Sequence, residues 1–274
     1  MKEDIKLGIF SWFGFVLPLP ERLLLIKKAG FDAVSLWWED EQAIGQGISL
    51  RKGDFTKLVI DSGLIVENIH APFNNSNDLW SDHKLIRKRV VERHLNWLED
   101  CAIHNIPLMV MHLTEGDSTP EPNKYGIETM SCLVRFAEDV GVKIAIENTR
   151  REDNIDYLLS EIQSEHLGYC YDSSHANLYH DKGEYLLKNF GNRLIATHLS
   201  DNDGIKDRHW LPGNGIISWE RLLKKYAFNT YKRYLTLEVC ADYDEMKEGP
   251  EPFLGKAFHR LSFIRELKTL HHKI

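Results

Sequence analysis

The chain has 274 residues, 43% of them hydrophobic, enough to fill one large core, and α/β barrels commonly run to roughly 250 residues as a single unit. Thirty-four Lys and Arg against 41 Asp and Glu leave a formal charge of −7, ordinary for a cytoplasmic enzyme and adverse to a protein that must hold a polyphosphate backbone. The charged start MKEDIKLGIF reads against a secretory leader, and no apolar run approaches the roughly 20 residues of a membrane span. Cys101, Cys132, Cys170 and Cys240 form no C-x-x-C pair, so they are expected to be buried, reduced thiols.

In chain order, short β-branched or aromatic runs alternate with longer amphipathic stretches. Strand Lys6–Ser11 precedes the helix ERLLLIKKAG, and Ala33–Trp37 precedes DFTKLVIDSG. Ile65–His70 leads to a long helix near Asp82–His104, and Leu108–His112 to YGIETMSCLVRFAEDVG. Lys143–Asn148, Leu167–Asp172 and Leu194–Leu199 are followed by IDYLLSEIQ, EYLLKNFG and SWERLLKKYA. Tyr234–Val239 precedes the final FLGKAFHRLSFIRELKTLHH. Gly30, Gly63, Gly141 and Gly191 stand where helices should end. Strands alternating with helices imply parallel βαβ units, and eight such units close a barrel. The expected fold is therefore an α/β protein of the (β/α)8 TIM-barrel class, residues 1–274 forming one domain. A doubly wound open sheet would want a Gly-rich phosphate turn after the first strand, and none is there.

In such barrels the reacting groups sit where strands run into the following loops. Here those points carry His70, His112, Glu147, Asp172 with His175, His198, and Glu238, while the loop after the seventh strand adds Asp207 and His209. In IAIEN the period of two turns Ala145 and Glu147 inward and Ile144 and Ile146 outward. Four carboxylates and five imidazoles on one rim need a compensating cation, and neutral imidazole with carboxylate suits Zn²⁺ or Mn²⁺. Each of these residues alone reads as an ordinary hydrogen-bonded strand end; six consecutive strand ends of ligand type carry the inference. The eight other histidines (His83, His94, His104, His166, His180, His259, His271 and His272) read as surface or helix-face residues. Trp12, Phe13, Trp37, Trp38, Phe73 and Trp210 lie in or beside strand-end loops, where flat rings would stack on sugar rings.

These residues resemble the xylose isomerase-like barrel superfamily, over about Leu7 to Phe263. That superfamily includes sugar isomerases, sugar epimerases and endonuclease IV. The chain order His70, His112, Glu147, Asp172, His175, His198, Asp207, His209 and Glu238 is similar to the trinuclear zinc ligands of endonuclease IV. The single-metal epimerases imply a subset, Glu147, Asp172, His198 and Glu238. The stretch HLSDNDGIKDRHWLPGNGIISW looks like members described as sugar phosphate isomerases or epimerases.

What the resemblance implies is one to three divalent ions and one of two reactions. The first is isomerisation or epimerisation of a sugar or sugar phosphate through a metal-stabilised enediolate. Glu147 and Glu238 would then exchange protons, and His175 would hold a substrate oxygen. Trp12, Trp37, Phe73, Arg208 and Trp210 would bind substrate, with Arg208 or Lys206 meeting a phosphate. The second is metal-assisted phosphodiester hydrolysis at abasic sites. The acidic run Glu39, Asp40 and Glu41 after the second strand, and Asn74 where an apolar wedge belongs, disfavour nucleic acid. A barrel that binds metal without catalysis is the third possibility.

Overall fold

A computed structural model describes residues 5–43, 48–179, 184–225, 228 and 230–271. The strands are β1 (Leu7–Phe10), β2 (Ala33–Trp37), β3 (Glu41–Ala43), β4 (Ile48–Leu50), β5 (Ile65–His70), β6 (Leu108–His112), β7 (Lys143–Glu147), β8 (Leu167–Asp172), β9 (Leu194–His198) and β10 (Leu235–Leu237). The helices are α1 (Leu19–Ala29), α2 (Lys52–Asp61), α3 (Lys84–Ile103), α4 (Lys124–Val140), α5 (Glu152–Glu161), α6 (Ser173–Tyr179), α7 (Glu184–Asn189), α8 (Trp219–Leu223), α9 (Tyr243–Glu248) and α10 (Pro250–His271). Eight strands make one sheet in the order β10-β1-β2-β5-β6-β7-β8-β9, each adjacent pair parallel. Its two ends meet where Leu199, just past β9, bridges Leu237. There the Leu199 N–H donates to Thr236 O at 2.8 Å and the Glu238 N–H to Leu199 O at 3.2 Å. The expected TIM barrel is the observed one.

Sequence period explains the layers. Along α4, Met130, Leu133, Val134 and Ala137 fall on one face and are buried, and Asn123 opens the helix by accepting from the N–H groups of Tyr125 and Gly126. On β7, Ile144 and Ile146 join the large core between sheet and helices. Ala145 instead joins a small inner cluster with Leu108, Val110, Cys170 and Ala196. The parity read from IAIEN therefore holds, and Glu147 points inward. Gly30, Gly63 and Gly141 take positive φ at helix ends as expected. Gly191 does not end a helix; it opens a short 3-10 turn, Gly191–Arg193, after α7 has stopped at Asn189.

The antiparallel hairpin of β3 and β4 was not expected; it occupies the acidic loop after the second barrel strand. Cys101 and Cys170 are buried as read, but Cys132 is exposed and Cys240 half-buried. His94 is buried, its Nδ1 2.7 Å from Val90 O, while His180 and His272 lie outside the described residues. Among the described residues no helix is long and apolar enough to cross a membrane.

Inside the barrel, Gly8 leaves room for a buried acid. A Cβ there would stand 2.7 Å from Thr236 Oγ1 and 2.9 Å from Glu67 Oε2. The Thr236 hydroxyl donates to Glu67. Burial pushes the Glu67 carboxyl up to about 7, against the opposing pull of Thr236 and His198. A carboxyl raised on folding contributes stability that is full below its unfolded value, near 4.5, and is lost as pH rises through 7. Glu67→Gln removes that loss. Its stability relative to wild type should rise by about 2–3 kcal/mol between pH 5 and pH 8 in chemical denaturation. A pH-independent difference would show that Glu67 ionises freely.

Candidate active site at the mouth of the barrel

His70, His112, Glu147, Asp172 and His198 are the last residues of β5, β6, β7, β8 and β9, and Glu238 follows β10 by one residue. Parallel register sets neighbours level: His112 faces Glu147 across β6 and β7, and Asp172 faces His198 across β8 and β9. His175 sits in the first turn of α6, and Asp207 and His209 in the loop between β9 and α8. All nine thus lie at one end of the barrel.

Glu147 is the hub. His198 Nδ1 stands 3.0 Å from it, His70 Nε2 3.3 Å, His175 Nδ1 3.4 Å and His112 Nε2 3.6 Å. Glu238 reaches the same His198 Nδ1 at 3.1 Å. Yet neither Glu147 oxygen, neither His198 nitrogen and not Asp172 Oδ2 has a hydrogen-bond partner, although all are buried. Close polar atoms that fail to align on one another are what ligand lone pairs turned toward a shared cation look like. One ligand atom each from Glu147, Asp172, His198 and Glu238 fall within 4.8 Å of one another, as do those of His70, His112 and Glu147. The donor set and its orphaned atoms fit a divalent metal.

Protons can balance these charges only in part. Burial alone would raise the Glu147 carboxyl, but His198 and His112 outweigh it and hold it well below the usual range. Burial alone would lower His198, but Cys170, Glu238 and Glu147 lift it well above an ordinary histidine. Asp172 is pushed up to about 7, first by burial and then by Glu147, Asp207 and Glu238, with His175 opposing. Glu147 and Glu238 are thus both tied to the protonated side of His198, a pairing that a bound metal ion would replace with release of that proton.

A second group flanks the first. Asp207 Oδ2 lies 3.1 Å from both His175 Nε2 and His209 Nε2, while their Nδ1 atoms face Asn148 O at 3.1 Å and Glu238 O at 3.0 Å. His209 is held there in the left-handed region, at φ 49°. Asp201 staples the loop that carries this pair. It accepts from the N–H groups of Gly213 (2.8 Å) and Ile217 (3.1 Å) and from Trp219 Nε1 (3.0 Å). Gly215 passes so close that a Cβ would lie 2.2 Å from Asn202 O. Asp203 closes the tip through the N–H groups of Ile205 and Lys206 and the Arg208 guanidinium. The D-N-D-G and P-G-x-G portions of the sequence are therefore loop architecture.

The mouth opens into a cavity of about 500 Å³ lined by Phe10, Trp12, Arg22, Trp37, Glu41, His70, Phe73, His112, Glu147, His175, Asp207, His209 and Glu238. Trp12, Trp37 and Phe73 face it; Phe73 stacks on His112 with ring centroids 4.7 Å apart, and Trp37 lies 5.5 Å from His70. Arg208 and Trp210 do not line this cavity: the guanidinium pairs with Asp203 at 2.8 Å and lies over the Trp210 ring. Phe13 and Trp38 are core residues, 0% and 1% exposed, and the Trp38 indole donates to Asp100. Sequence reasoning missed Arg22 and Glu41 as a cavity wall. The available signal was a charged side chain on the apolar face of α1, where Leu19, Arg22, Leu23 and Ile26 are all buried.

Residues 23–258 match the family described as xylose isomerase-like TIM barrel. A protein of Sinorhizobium fredii with no assigned activity is 28% identical over 257 residues, covering 82% of each chain. The fructoselysine 3-epimerase of Escherichia coli O157:H7 is 27% identical over 254 residues, covering 87% of this chain and 92% of that one. The structure of D-psicose 3-epimerase with D-tagatose, from Clostridium cellulolyticum H10, superposes with a TM-score of 0.77 at 16% identity, covering 96% of this chain and 99% of that one.

Proposed function

The chain belongs to the xylose isomerase-like TIM barrel family, and from that premise we propose that it is a divalent metal-dependent isomerase or epimerase of a sugar or sugar phosphate. The observation that carries the reading is the approach of Glu147 and Glu238, from strands separated by two others, to the same nitrogen of His198. Two carboxylates converge on one point from different directions, beside a cavity walled by aromatic rings. The fructoselysine 3-epimerase that is 27% identical lends this reading support.

In this proposal Glu147, Asp172, His198 and Glu238 would hold the ion. Further ions would draw on His70 and His112, which group with Glu147, and on Asp207 and His209, which meet each other at 3.1 Å. When bound, a divalent ion supplies the Lewis acidity that makes the hydrogen beside a sugar carbonyl acidic and offsets the charge of the enediolate. One glutamate takes the proton from that carbon, and the electron pair moves toward the carbonyl oxygen. The other glutamate returns a proton to the opposite face, inverting the carbon. His175, at the cavity wall, holds a substrate oxygen. Trp12, Trp37 and Phe73 cover the apolar face of the ring and keep bulk water from the enediolate.

The second reading, phosphodiester hydrolysis, draws on the His70, His112 and Glu147 group, which offers room for another ion. The lining speaks against it. Among the described residues, Arg22 is the one Lys or Arg in the cavity wall, and Glu41 already holds it. Backbone binding depends on several such cations.

The deciding experiment incubates the protein with Mn²⁺ or Zn²⁺ and a panel of ketoses and their phosphates in D₂O. Deuterium should enter the carbon beside the carbonyl in at least one of them, and an abasic-site duplex should remain largely intact at physiological salt. Efficient metal-dependent incision without exchange into any sugar would reverse the order of the two readings.

A further inference from the structure

Arg22 is an unusual cavity residue. Its side chain is 3% exposed, and burial lowers its guanidinium to about 10, still charged at neutral pH. Its donors are committed: Nε to Leu17 O at 3.0 Å, Nη1 to Ser11 O at 2.5 Å, and Nη2 to Glu41. The Trp12 ring lies 5.6 Å from it. A guanidinium held on so many sides cannot swing to meet a ligand without leaving buried acceptors unpaired. What it does instead is fix Glu41, whose side chain remains 30% exposed on the cavity wall. Among the described residues the cavity wall carries four carboxylates, Glu41, Glu147, Asp207 and Glu238, four imidazoles, His70, His112, His175 and His209, and one guanidinium, Arg22, which Glu41 already neutralises. A phosphate reaching Glu41 would meet an acceptor where it needs a donor, because the Arg22 guanidinium beside it is already bonded to protein acceptors. A hydroxyl group would find a pre-oriented carboxylate acceptor, the charge-assisted bond that is stronger than a neutral one.

We propose that Glu41, held in place by Arg22, is a specificity-determining residue: it accepts hydrogen bonds from hydroxyls at the far end of an uncharged sugar and rejects phosphorylated ones. The inference rests on the sugar isomerase reading and narrows its substrate to the unphosphorylated class. It assigns Arg22 a positioning role, since its bonds run to protein acceptors.

The test titrates a panel of free ketohexoses and their 6-phosphates into the full chain loaded with Mn²⁺, read by quenching of tryptophan fluorescence, since Trp12 and Trp37 line the cavity. Wild type should bind at least one free ketohexose ten or more times more tightly than its phosphate. Glu41→Gln, which keeps the shape and drops the charge, should weaken the free sugar about tenfold and bring the two affinities within about threefold. Glu41→Asp, which keeps the charge but draws it back from the cavity, should weaken the free sugar while retaining discrimination; it serves as the second variant if Gln disturbs the fold. In turnover, the loss should fall on KM more than on kcat. A wild type that prefers the phosphates, binds no free ketohexose, or is indifferent to both substitutions overturns the inference. Deuterium exchange in the same samples judges the isomerase reading separately. Exchange that persists while both Glu41 variants are neutral sinks this inference alone, and Glu41-dependent binding without exchange sinks the isomerase reading alone.

Discussion

Glu147→Gln is expected to lower deuterium exchange into the substrate by about 10³-fold or more, the range that loss of a general base produces. The substitution preserves side-chain volume at a position that is 1% exposed, so the barrel should stay folded. The charge is what disappears. His70, His112, His175 and His198 all stand within 3.6 Å of this carboxylate, and an amide offers them a donor where they now meet an acceptor. Metal content should fall with activity, because Glu147 belongs to three of the four candidate ligand groups among the described residues. Elemental analysis beside the exchange assay separates the two losses. A variant that holds metal but does not exchange isolates the base, and one that exchanges within tenfold of wild type would remove Glu147 from the mechanism.

The second large effect is structural and lies outside the cavity. Asp201→Ala should destabilise the protein by roughly 3 kcal/mol, because it strips a fully buried carboxylate from four donors, the neighbouring Asn202 N–H and three from distant residues, and charge-assisted hydrogen bonds are worth about 1.5–3 kcal/mol each before the loop relaxes. In a chain of this size that is a fall in Tm of about 6–10 °C. Activity should fall further than stability suggests, since the loop between β9 and α8 carries Asp207 and His209 toward the metal-binding group. Asp201→Asn keeps one acceptor oxygen and should recover part of the stability. Thermal melts of both variants, with exchange assayed well below either Tm, test this. Equal melting of wild type and Asp201→Ala would mean that the loop is held by other contacts.

The two variants mark what kinds of information the chain carries. Eight strands and the inward parity of Glu147 follow from local rules: a period of two along each strand, longer amphipathic runs between, and polar residues at strand ends. Those rules read a few neighbouring residues at a time, so they survive without knowledge of the fold. The same parity distinguishes adjacent aromatics, because Trp37 ends β2 facing the mouth while Trp38, one residue on, turns into the helix layer beside Phe55. Composition alone groups the two together.

By itself, then, the sequence determined a barrel with nine ligand-type residues on one rim. Only the tertiary structure decided what surrounds them. Arg22 and Glu41 are 19 residues apart and come from a helix and an unexpected hairpin, and neither has a role until the fold sets them against each other. Asp201 has no assigned role in the sequence, and its bonds to residues 12, 16 and 18 positions away make it a staple. Arg208 looks like a phosphate ligand, and its pairing with Asp203 keeps it out of the cavity. The physical reason is common to all three: backbone period fixes which way a side chain leaves the chain, but the partner that settles its charge is supplied by a distant segment.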